Sequence, residues 1–417
     1  MKKKAKRFLA SLTAAAAVCS VCLTPLSDIG IRLPINALET SAADILVNGD
    51  YQYYTDNNGA VIKKYTGTAA VVTIPGEIDG NKVYAIDSYA FDKNSNLTSV
   101  TFPDSLERIG SHAFRGCTTL SSVKFNEGLK VIGNYAFTDT AVTEVSLPST
   151  LTDAAYPFNN SKVTKATFAE GTELIPSWLF RNCSKLTDVT IPETVKRIGS
   201  YAFNGCSSLK EFKFHEGLEF LGSYSFSGTG LTEVSLPTTL KDTVYPFNNC
   251  NITKATIAEG TVTVPSWLFK NCSKLTDITI PETVTSIGSY AFNGCSSIKS
   301  FKFHEGLTFL GSYSFSGTGI TEVELPTTLT DTVYPFNGCD ITKASFAKGT
   351  EKIPSWIFKN CYKLTDVTVP ETVTTIGSYA FNGCSSLESF KFHEGITFLG
   401  SYSFSGTALN EVNLPST

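Results

Sequence analysis

The chain has 417 residues, of which 42% are hydrophobic and 17% charged, a composition that supports a large core and excludes a disordered protein. It carries 34 Lys and Arg against 38 Asp and Glu, a formal net charge of −4. This mildly acidic balance argues against nucleic acid as a partner, because such a surface needs basic stripes to neutralise phosphates.

The first 43 residues have the pattern of a secretory signal or leader. Five basic residues within positions 2–7 precede an apolar run over 8–23, which is the order of a signal peptide. No later run reaches the roughly 18 apolar residues of a membrane span. We therefore expect a protein that is secreted or held at the cell surface and that has no membrane span once the leader is removed.

Residues 44–83 differ from the repeats that follow them and show short strands broken by turns. Apolar residues alternate on both sides of Asn58-Gly59, a pattern that favours a β-hairpin. A repeat array needs a cover over its first unit. We expect this strand-rich segment to be that N-terminal cap.

From residue 84 to 417 the chain is an array of short units, each marked by one phenylalanine. Successive spacings run 23, 23, 21 and 22 residues and then repeat, so four units form a longer repeat of 89 residues. The fifteen residues are Phe91, Phe114, Phe137, Phe158, Phe180, Phe203, Phe226, Phe247, Phe269, Phe292, Phe315, Phe336, Phe358, Phe381 and Phe404. A fixed period of this length predicts a solenoid in which each unit contacts only its neighbours.

The sequence pattern of each unit predicts two short strands and a turn. Val189 and Ile191 alternate with polar residues, as Phe212 and Phe214 do one unit later, which predicts a strand with one buried side. A second short strand is expected over 195–199, followed by a tight turn or a single helical turn. Because the array stops inside a unit without a visible cap, we expect the last unit to be incomplete and the chain to be part of a longer protein.

The most regular stretch is Ile198–Leu209 (IGSYAFNGCSSL), which returns almost unchanged at 287–298 and 376–387. Together with Ile191–Val195 (IPETV), it resembles the BspA-type leucine-rich repeats of bacterial surface proteins over roughly residues 84–417. The resemblance implies a leucine-rich-repeat solenoid with a right-handed superhelix, mostly of short parallel strands. It also implies secretion, surface display and adhesion to host matrix proteins or other cells, and no enzymatic activity.

Nine cysteines follow the leader, each three residues after the phenylalanine of its unit. Asn, Thr or Ser takes this position in the other units, which indicates a tight site rather than a need for sulfur. Side chains in one column point in parallel, and an odd number cannot pair completely. We therefore favour buried free thiols over disulfides.

No catalytic, cofactor or metal site is predicted. His215, His304 and His393 recur every four units, roughly 19 Å apart at strand spacing. Ligands of one zinc ion lie roughly 2 Å from it, so these histidines cannot share a metal. Nearly every polar residue recurs in several copies along a rod, whereas an enzyme needs one converging set of groups.

An aromatic residue stands two positions before each phenylalanine, and we call this set the aromatic column. Its members are Tyr89, His112, Tyr135, Tyr156, Trp178, Tyr201, Tyr224, Tyr245, Trp267, Tyr290, Tyr313, Tyr334, Trp356, Tyr379 and Tyr402. Such a stripe could bind the sugar rings of a polysaccharide. The favoured alternative is that the rings stack from unit to unit and seal the edge of the core.

The outward positions of the predicted strands form the candidate ligand-binding surface, since a curved solenoid commonly binds on its sheet face. The candidates are Asp188, Glu211, Lys213, His215, Glu233, Lys254, Asp277, Lys302, His304, Glu322, Lys343, Asp366, Lys391 and His393. Their mixed charge favours a protein ligand on host matrix or another cell. The alternatives are a polysaccharide on the aromatic column, a spacer that presents another domain, and a solvated charge ladder without a partner.

Overall fold

A computed structural model describes residues 44–416 and shows a β-solenoid of short parallel strands. Each of the fifteen phenylalanines marks one coil. No helix occurs within the described range, so the connection before each phenylalanine is a hydrogen-bonded turn and not a helical one. The predicted repeat solenoid is confirmed. The predicted leader, residues 1–43, lies outside the described residues.

Six N-terminal strands precede the regular coils. They are β1 (Leu46–Asn48), β2 (Tyr51–Asp56), β3 (Gly59–Tyr65), β4 (Val71–Thr73), β5 (Glu77–Ile78) and β6 (Asn81–Ile86). Strands β1, β2 and β3 pair antiparallel in order, β5 pairs antiparallel with β6, and β4 pairs in parallel with β7 (Ser99–Thr101) of the solenoid. Strands β2 and β3 are antiparallel about a turn at Asn57 and Asn58, which confirms the predicted hairpin. Strand β3 pairs in parallel with β6, so the hairpin continues one sheet of the solenoid. The capping role of residues 44–83 stays a prediction.

The solenoid presents two parallel sheets, which we call the long-strand face and the short-strand face. From β7 onward, the long-strand face contains β7 (Ser99–Thr101), β9 (Ser122–Lys124), β11 (Glu144–Leu147), β13 (Lys165–Phe168), β15 (Asp188–Thr190), β18 (Glu233–Leu236), β20 (Lys254–Ile257), β22 (Asp277–Thr279), β25 (Glu322–Leu325), β27 (Lys343–Phe346) and β29 (Asp366–Thr368). The short-strand face contains β8 (Arg108–Ile109), β10 (Val131–Ile132), β12 (Asp153–Ala154), β14 (Leu174–Ile175), β16 (Arg197–Ile198), β17 (Phe220–Leu221), β19 (Asp242–Thr243), β21 (Thr263–Val264), β23 (Ser286–Ile287), β24 (Phe309–Leu310), β26 (Asp331–Thr332), β28 (Lys352–Ile353), β30 (Thr375–Ile376) and β31 (Phe398–Leu399).

Both faces are interrupted once in every four coils. On the short-strand face, β12 does not pair with β14. The residue after β14 is Pro176, whereas the equivalent Gly199 donates its N–H to Ile175 O at 2.8 Å. Proline has no N–H to donate, so the ladder fails at that coil. Pro265 and Pro354 stand at the equivalent breaks.

The core is organised around the phenylalanine column. Each ring packs on the rings of the coils before and after it, with centroid distances such as 4.8 Å for Phe91–Phe114 and 5.9 Å for Phe180–Phe203. Phe114 and Phe203 are fully buried. Rings at these separations contribute about 0.5–1.5 kcal/mol per pair beyond the burial of their area.

Each turn holds two residues with left-handed backbone, placed two positions before and two positions after the phenylalanine. In one coil these are Trp178 and Asn182, both with φ near 59°. Trp178 N, Phe180 N and Asn182 N then donate to carbonyls of the next coil at 2.7–2.9 Å. This backbone points alternate N–H groups along the solenoid axis and forms a third ladder, which we call the turn ladder.

The nine cysteines are free and buried, as predicted. Each thiol donates to the carbonyl of the phenylalanine in the preceding coil, for example Cys206 Sγ to Phe180 O at 3.1 Å. Burial raises the pKa of the Cys117 thiol to about 11 and that of Cys183 to about 12. The thiols therefore stay protonated at neutral pH and are poor nucleophiles.

These raised pKa values predict a loss of stability in alkali. As the pH rises above 9, the unfolded chain releases thiol protons that the folded chain retains, so the free energy of unfolding falls towards pH 11. Denaturant unfolding at pH 7 and pH 10.5 measures the loss. Replacing Cys117, Cys183 and Cys206 by Thr, which the chain itself uses at Thr229, is expected to reduce it. Rapid labelling of native thiols at neutral pH would contradict this account.

Candidate binding face

Charged side chains of alternating sign run along the long-strand face. Glu233, Lys254 and Asp277 are exposed and lie in register on the three paired strands β18, β20 and β22. Glu322, Lys343 and Asp366 repeat this arrangement on β25, β27 and β29. We call these rows the charge stripe, and the parallel ladder that holds the backbone fixes the spacing of its charges.

The charge stripe contains six of the fourteen predicted ligand-binding residues. Among the described residues, no ion pair joins Lys254 to Glu233 or Asp277, although the register places them opposite one another. Lys213 and Lys302 lie off the strands, where they contact Glu193 and Glu282 at 3.6 Å with mostly exposed side chains. Exposed pairs of this kind contribute little to stability, so these charges are free to meet a partner.

The histidines do not lie on the exposed face, and the prediction that His215 and His304 belong to a surface site is wrong on this point. Both are only 6% exposed, and His393 is half-buried. Nδ1 of His215 lies 2.6 Å from the carbonyl oxygen of Glu216. Asn126 fills the same place in the first 89-residue repeat and donates to Leu106 O at 2.9 Å. The position therefore selects a buried side chain that bonds to the backbone.

Three segments interrupt the long-strand face after β15, β22 and β29, and we call them the Phe segments: 210–216, 299–305 and 388–394. A further break separates β9 from β11. The predicted strand at Phe212 and Phe214 is absent, since no residue of 210–216 belongs to a strand. In the first repeat, β9 holds Val123 at the position of Phe212 and pairs with β7. The ring of Phe212 packs against Phe203 and Phe226. A ring in place of a valine is too large for the regular ladder spacing, so the coil leaves the sheet.

Clefts open where the sheet is interrupted. One cleft of about 700 Å³ lies between β22 and the second Phe segment and is lined by Ile278, Ile280 and Phe301. Another of about 650 Å³ lies between the first Phe segment and β18. Apolar side chains that would be covered in an unbroken sheet are half-buried at these places. Sequence reasoning missed the clefts, although the change from Val123 to phenylalanine was a visible signal.

The aromatic column is stacked, as the favoured alternative predicted. Tyr201 packs between Trp178 and Tyr224, with centroids 6.1 and 5.2 Å away. Inner members are half-buried, while Tyr89 and Tyr402 at the ends are at least half exposed. Because each inner ring covers the faces of its neighbours, a sugar ring has only edges to contact. This geometry argues against the column as a polysaccharide platform.

Cations cover part of the aromatic column. The guanidinium of Arg181 lies 5.4 Å from the ring centroid of Tyr156 and 5.7 Å from that of Tyr201. Lys270 stands in the same relation to Tyr245 and Tyr290 one 89-residue repeat later. These contacts stabilise the turns and further limit access to the rings.

A family model described as the BspA type leucine-rich repeat region, in six copies, matches residues 84–157, 154–246, 243–334 and 332–417. The chain belongs to the BspA-type leucine-rich-repeat family. No curated protein matches it in sequence.

Solved structures similar to this BspA-type chain include a leucine-rich cell surface protein of Faecalibacterium prausnitzii, with 22% identity, 78% of this chain and 94% of that chain covered, and a TM-score of 0.39. A leucine-rich repeat protein of Bacteroides ovatus has 20% identity, 85% and 99% coverage, and a TM-score of 0.43. The pneumococcal vaccine antigen PcpA has 18% identity, 89% and 99% coverage, and a TM-score of 0.42.

Across residues 44–416, no group of three or more His, Cys, Asp and Glu side chains is placed to hold a metal ion. Over the same range, no helix has the length and apolar character needed to cross a membrane.

His215→Ala is expected to lower the free energy of unfolding by about 1–3 kcal/mol, because it removes a buried side chain and its backbone bond. His215→Asn should lower it less, since Asn126 fills the equivalent place. Glu211→Ala, at a nearby exposed position, serves as the control and should change it by less than about 0.5 kcal/mol. Denaturant unfolding measures all three, and an unchanged midpoint for His215→Ala would contradict the structural role.

The left-handed backbone of Tyr201, with φ of 57°, predicts an unusual order of substitutions. Tyr201→Ala loses the stacked ring and keeps the strain, whereas Tyr201→Gly loses the ring and relieves the strain. The Gly variant should therefore be the more stable by roughly 1 kcal/mol. At Thr190, an exposed strand residue, Ala should be more stable than Gly. If thermal unfolding shows the Ala variant to be more stable than the Gly variant at Tyr201 as well as at Thr190, the backbone strain at Tyr201 is refuted.

Proposed function

We propose that this chain is a secreted or surface-displayed adhesion protein that binds a protein ligand, on host matrix or another cell, through the long-strand face. The observation that carries the proposal is the charge stripe. Exposed charges of alternating sign are held at fixed spacing on a rigid sheet, and the pattern recurs every 89 residues. Repeated weak contacts of this kind bind a large partner through avidity.

The placement outside the cell rests on the sequence of the leader and on the family. Residues 2–23 have the basic start and apolar run of a signal peptide. BspA-type repeats are typical of bacterial surface proteins, as the resemblance implies. Nine buried, protonated thiols are compatible with an oxidising environment, because each is buried away from oxidants in the solvent.

We propose binding rather than catalysis because the polar residues are distributed. The charge stripe repeats one small set of side chains instead of gathering different groups at one point. A catalytic site needs a nucleophile, base or paired carboxylates that converge in a pocket. The aromatic column is not proposed as the ligand site, since its inner ring faces are covered by one another.

Charge reversal tests this function. The purified protein is passed over immobilised matrix proteins and polysaccharides at two salt concentrations. Saturable binding to a protein, weaker at high salt, is expected, because exposed charges are screened. Lys254→Glu with Lys343→Glu should weaken that binding by roughly tenfold, since each reversal replaces attraction with repulsion.

The matched control is Lys241→Glu with Lys352→Glu. These exposed residues lie before or within short strands of the opposite face, and the change in net charge is the same. Equal weakening by both pairs would show a general charge effect and not a site. Salt-insensitive binding to a polysaccharide, lost when Trp178, Trp267 and Trp356 are replaced, would instead place the site on the aromatic column.

A further inference from the structure

We propose that the clefts that precede the first and second Phe segments hold extended basic peptides of the protein partner, bound by the addition of a strand to the broken sheet. This inference rests on the proposed function and deepens it, because it names the contact point and the chemistry of the ligand. The occupant is an extended segment in which apolar residues alternate with Lys or Arg.

The backbone at each cleft has hydrogen-bonding capacity that the protein does not use. In the first repeat, Ser121 N and Ser122 N both donate to Thr98 O, at 3.0 and 3.2 Å. The corresponding amides of Lys210 and Glu211 have no acceptor, and Thr187 O receives no donor. The same holds for Lys299 and Ser300 against Thr276. One wall of the cleft thus offers the carbonyl of Thr187, and the other offers the N–H groups of Lys210 and Glu211.

An extended peptide is the ligand that satisfies both walls. Its own carbonyls and N–H groups alternate along two edges, which is the arrangement used when a peptide adds to an open sheet. A compact ligand such as a sugar would leave most of these backbone groups unpaired, at a free-energy cost. The geometry therefore favours a strand over other occupants.

The side chains of the cleft specify what the strand should carry. Ile278, Ile280 and Phe301 are half-buried in the cleft and lack only an apolar cover. Its rim carries the carboxylates of Glu259, Asp277 and Glu282 against one ammonium, that of Lys302. At the first Phe segment the equivalent residues are Glu170, Asp188, Glu193 and Lys213, whereas at the third they are Lys348, Asp366, Glu371 and Lys391, so the excess of carboxylates belongs to the first two clefts. Apolar residues facing inward and basic residues at the rim complement both features.

Equivalent clefts recur along the solenoid with the 89-residue repeat. The Phe segments are 89 residues apart, which is four coils or roughly 19 Å at strand spacing. A partner with several basic, extended segments would occupy more than one cleft at once, so weak single contacts would add through avidity.

The test uses fluorescein-labelled nine-residue peptides in which valine alternates with lysine, and the binding is followed by fluorescence anisotropy. Saturable binding with two sites per chain is expected. Peptides alternating valine with glutamate, and valine–lysine peptides methylated on alternate backbone nitrogens, should bind roughly tenfold more weakly, because they lose the charge complement or the ladder bonds.

Two variants connect this binding to the clefts. Phe212→Val with Phe301→Val and Phe390→Val copies Val123 and should restore the pairing with the preceding strand, as β9 pairs with β7, which abolishes peptide binding. Lys348→Glu should give the third cleft the acidic rim of the second and raise the stoichiometry from two to three. Circular dichroism and unfolding midpoints verify that each variant is folded. If the triple variant proves unfolded, the stoichiometry of Lys348→Glu decides alone.

The outcomes separate this inference from the proposed function. Absent peptide binding, binding insensitive to methylation, or an unchanged stoichiometry in Lys348→Glu overturns the strand-addition site. Matrix-protein binding that survives in the triple variant but is lost in Lys254→Glu with Lys343→Glu leaves the charge stripe as the binding surface and overturns the clefts. Loss of both in the triple variant supports the clefts as the contact point.

Discussion

The structure depends on the contact between each coil and the next through the phenylalanine column. A coil of 21–23 residues has too little apolar surface to be stable alone, so each buried ring needs the ring above it and the ring below it. The turn ladder helps to place these rings at stacking distance, because in turns such as that of Phe180 three N–H groups bond to the following coil. Stacking and the turn ladder thus impose the same spacing, and every other column follows it.

That spacing has a conformational cost that the chain meets in two ways. Two positions after each phenylalanine it mostly uses Gly, Asn or Asp, which tolerate the left-handed backbone. Two positions before each phenylalanine, the chain uses Tyr, Trp or His in the same left-handed conformation, for which these residues have no intrinsic preference. The stacking of these rings and the cations above them offset the strain. The aromatic column is therefore part of the scaffold rather than a surface available to ligands.

Much of the fold could be predicted from the sequence because it depends on period. The spacing of the phenylalanines predicts the solenoid, the alternation at Val189 and Ile191 predicts a strand, and small residues in the cysteine positions predict buried thiols. The left-handed turns were not predictable, since Tyr201 has no preference for that backbone. The burial of His215 was missed because its polarity suggested solvent, while Asn126 showed what the position requires. The clefts were missed because alternation alone does not report that Phe212 is too large for its ladder.

The two kinds of sheet break have a mechanical consequence. Where Pro176 interrupts the short-strand face, β11 and β13 remain paired on the other side, and where a Phe segment interrupts the long-strand face, β16, β17 and β19 remain paired. No coil junction around these breaks loses both sheets, yet each has one side without rigid cross-bonds. Because the unpaired junctions alternate between the two faces, the solenoid can bend towards either face while the remaining sheet keeps the coils joined under tension. Such a solenoid can follow an uneven surface under shear without separation of its coils.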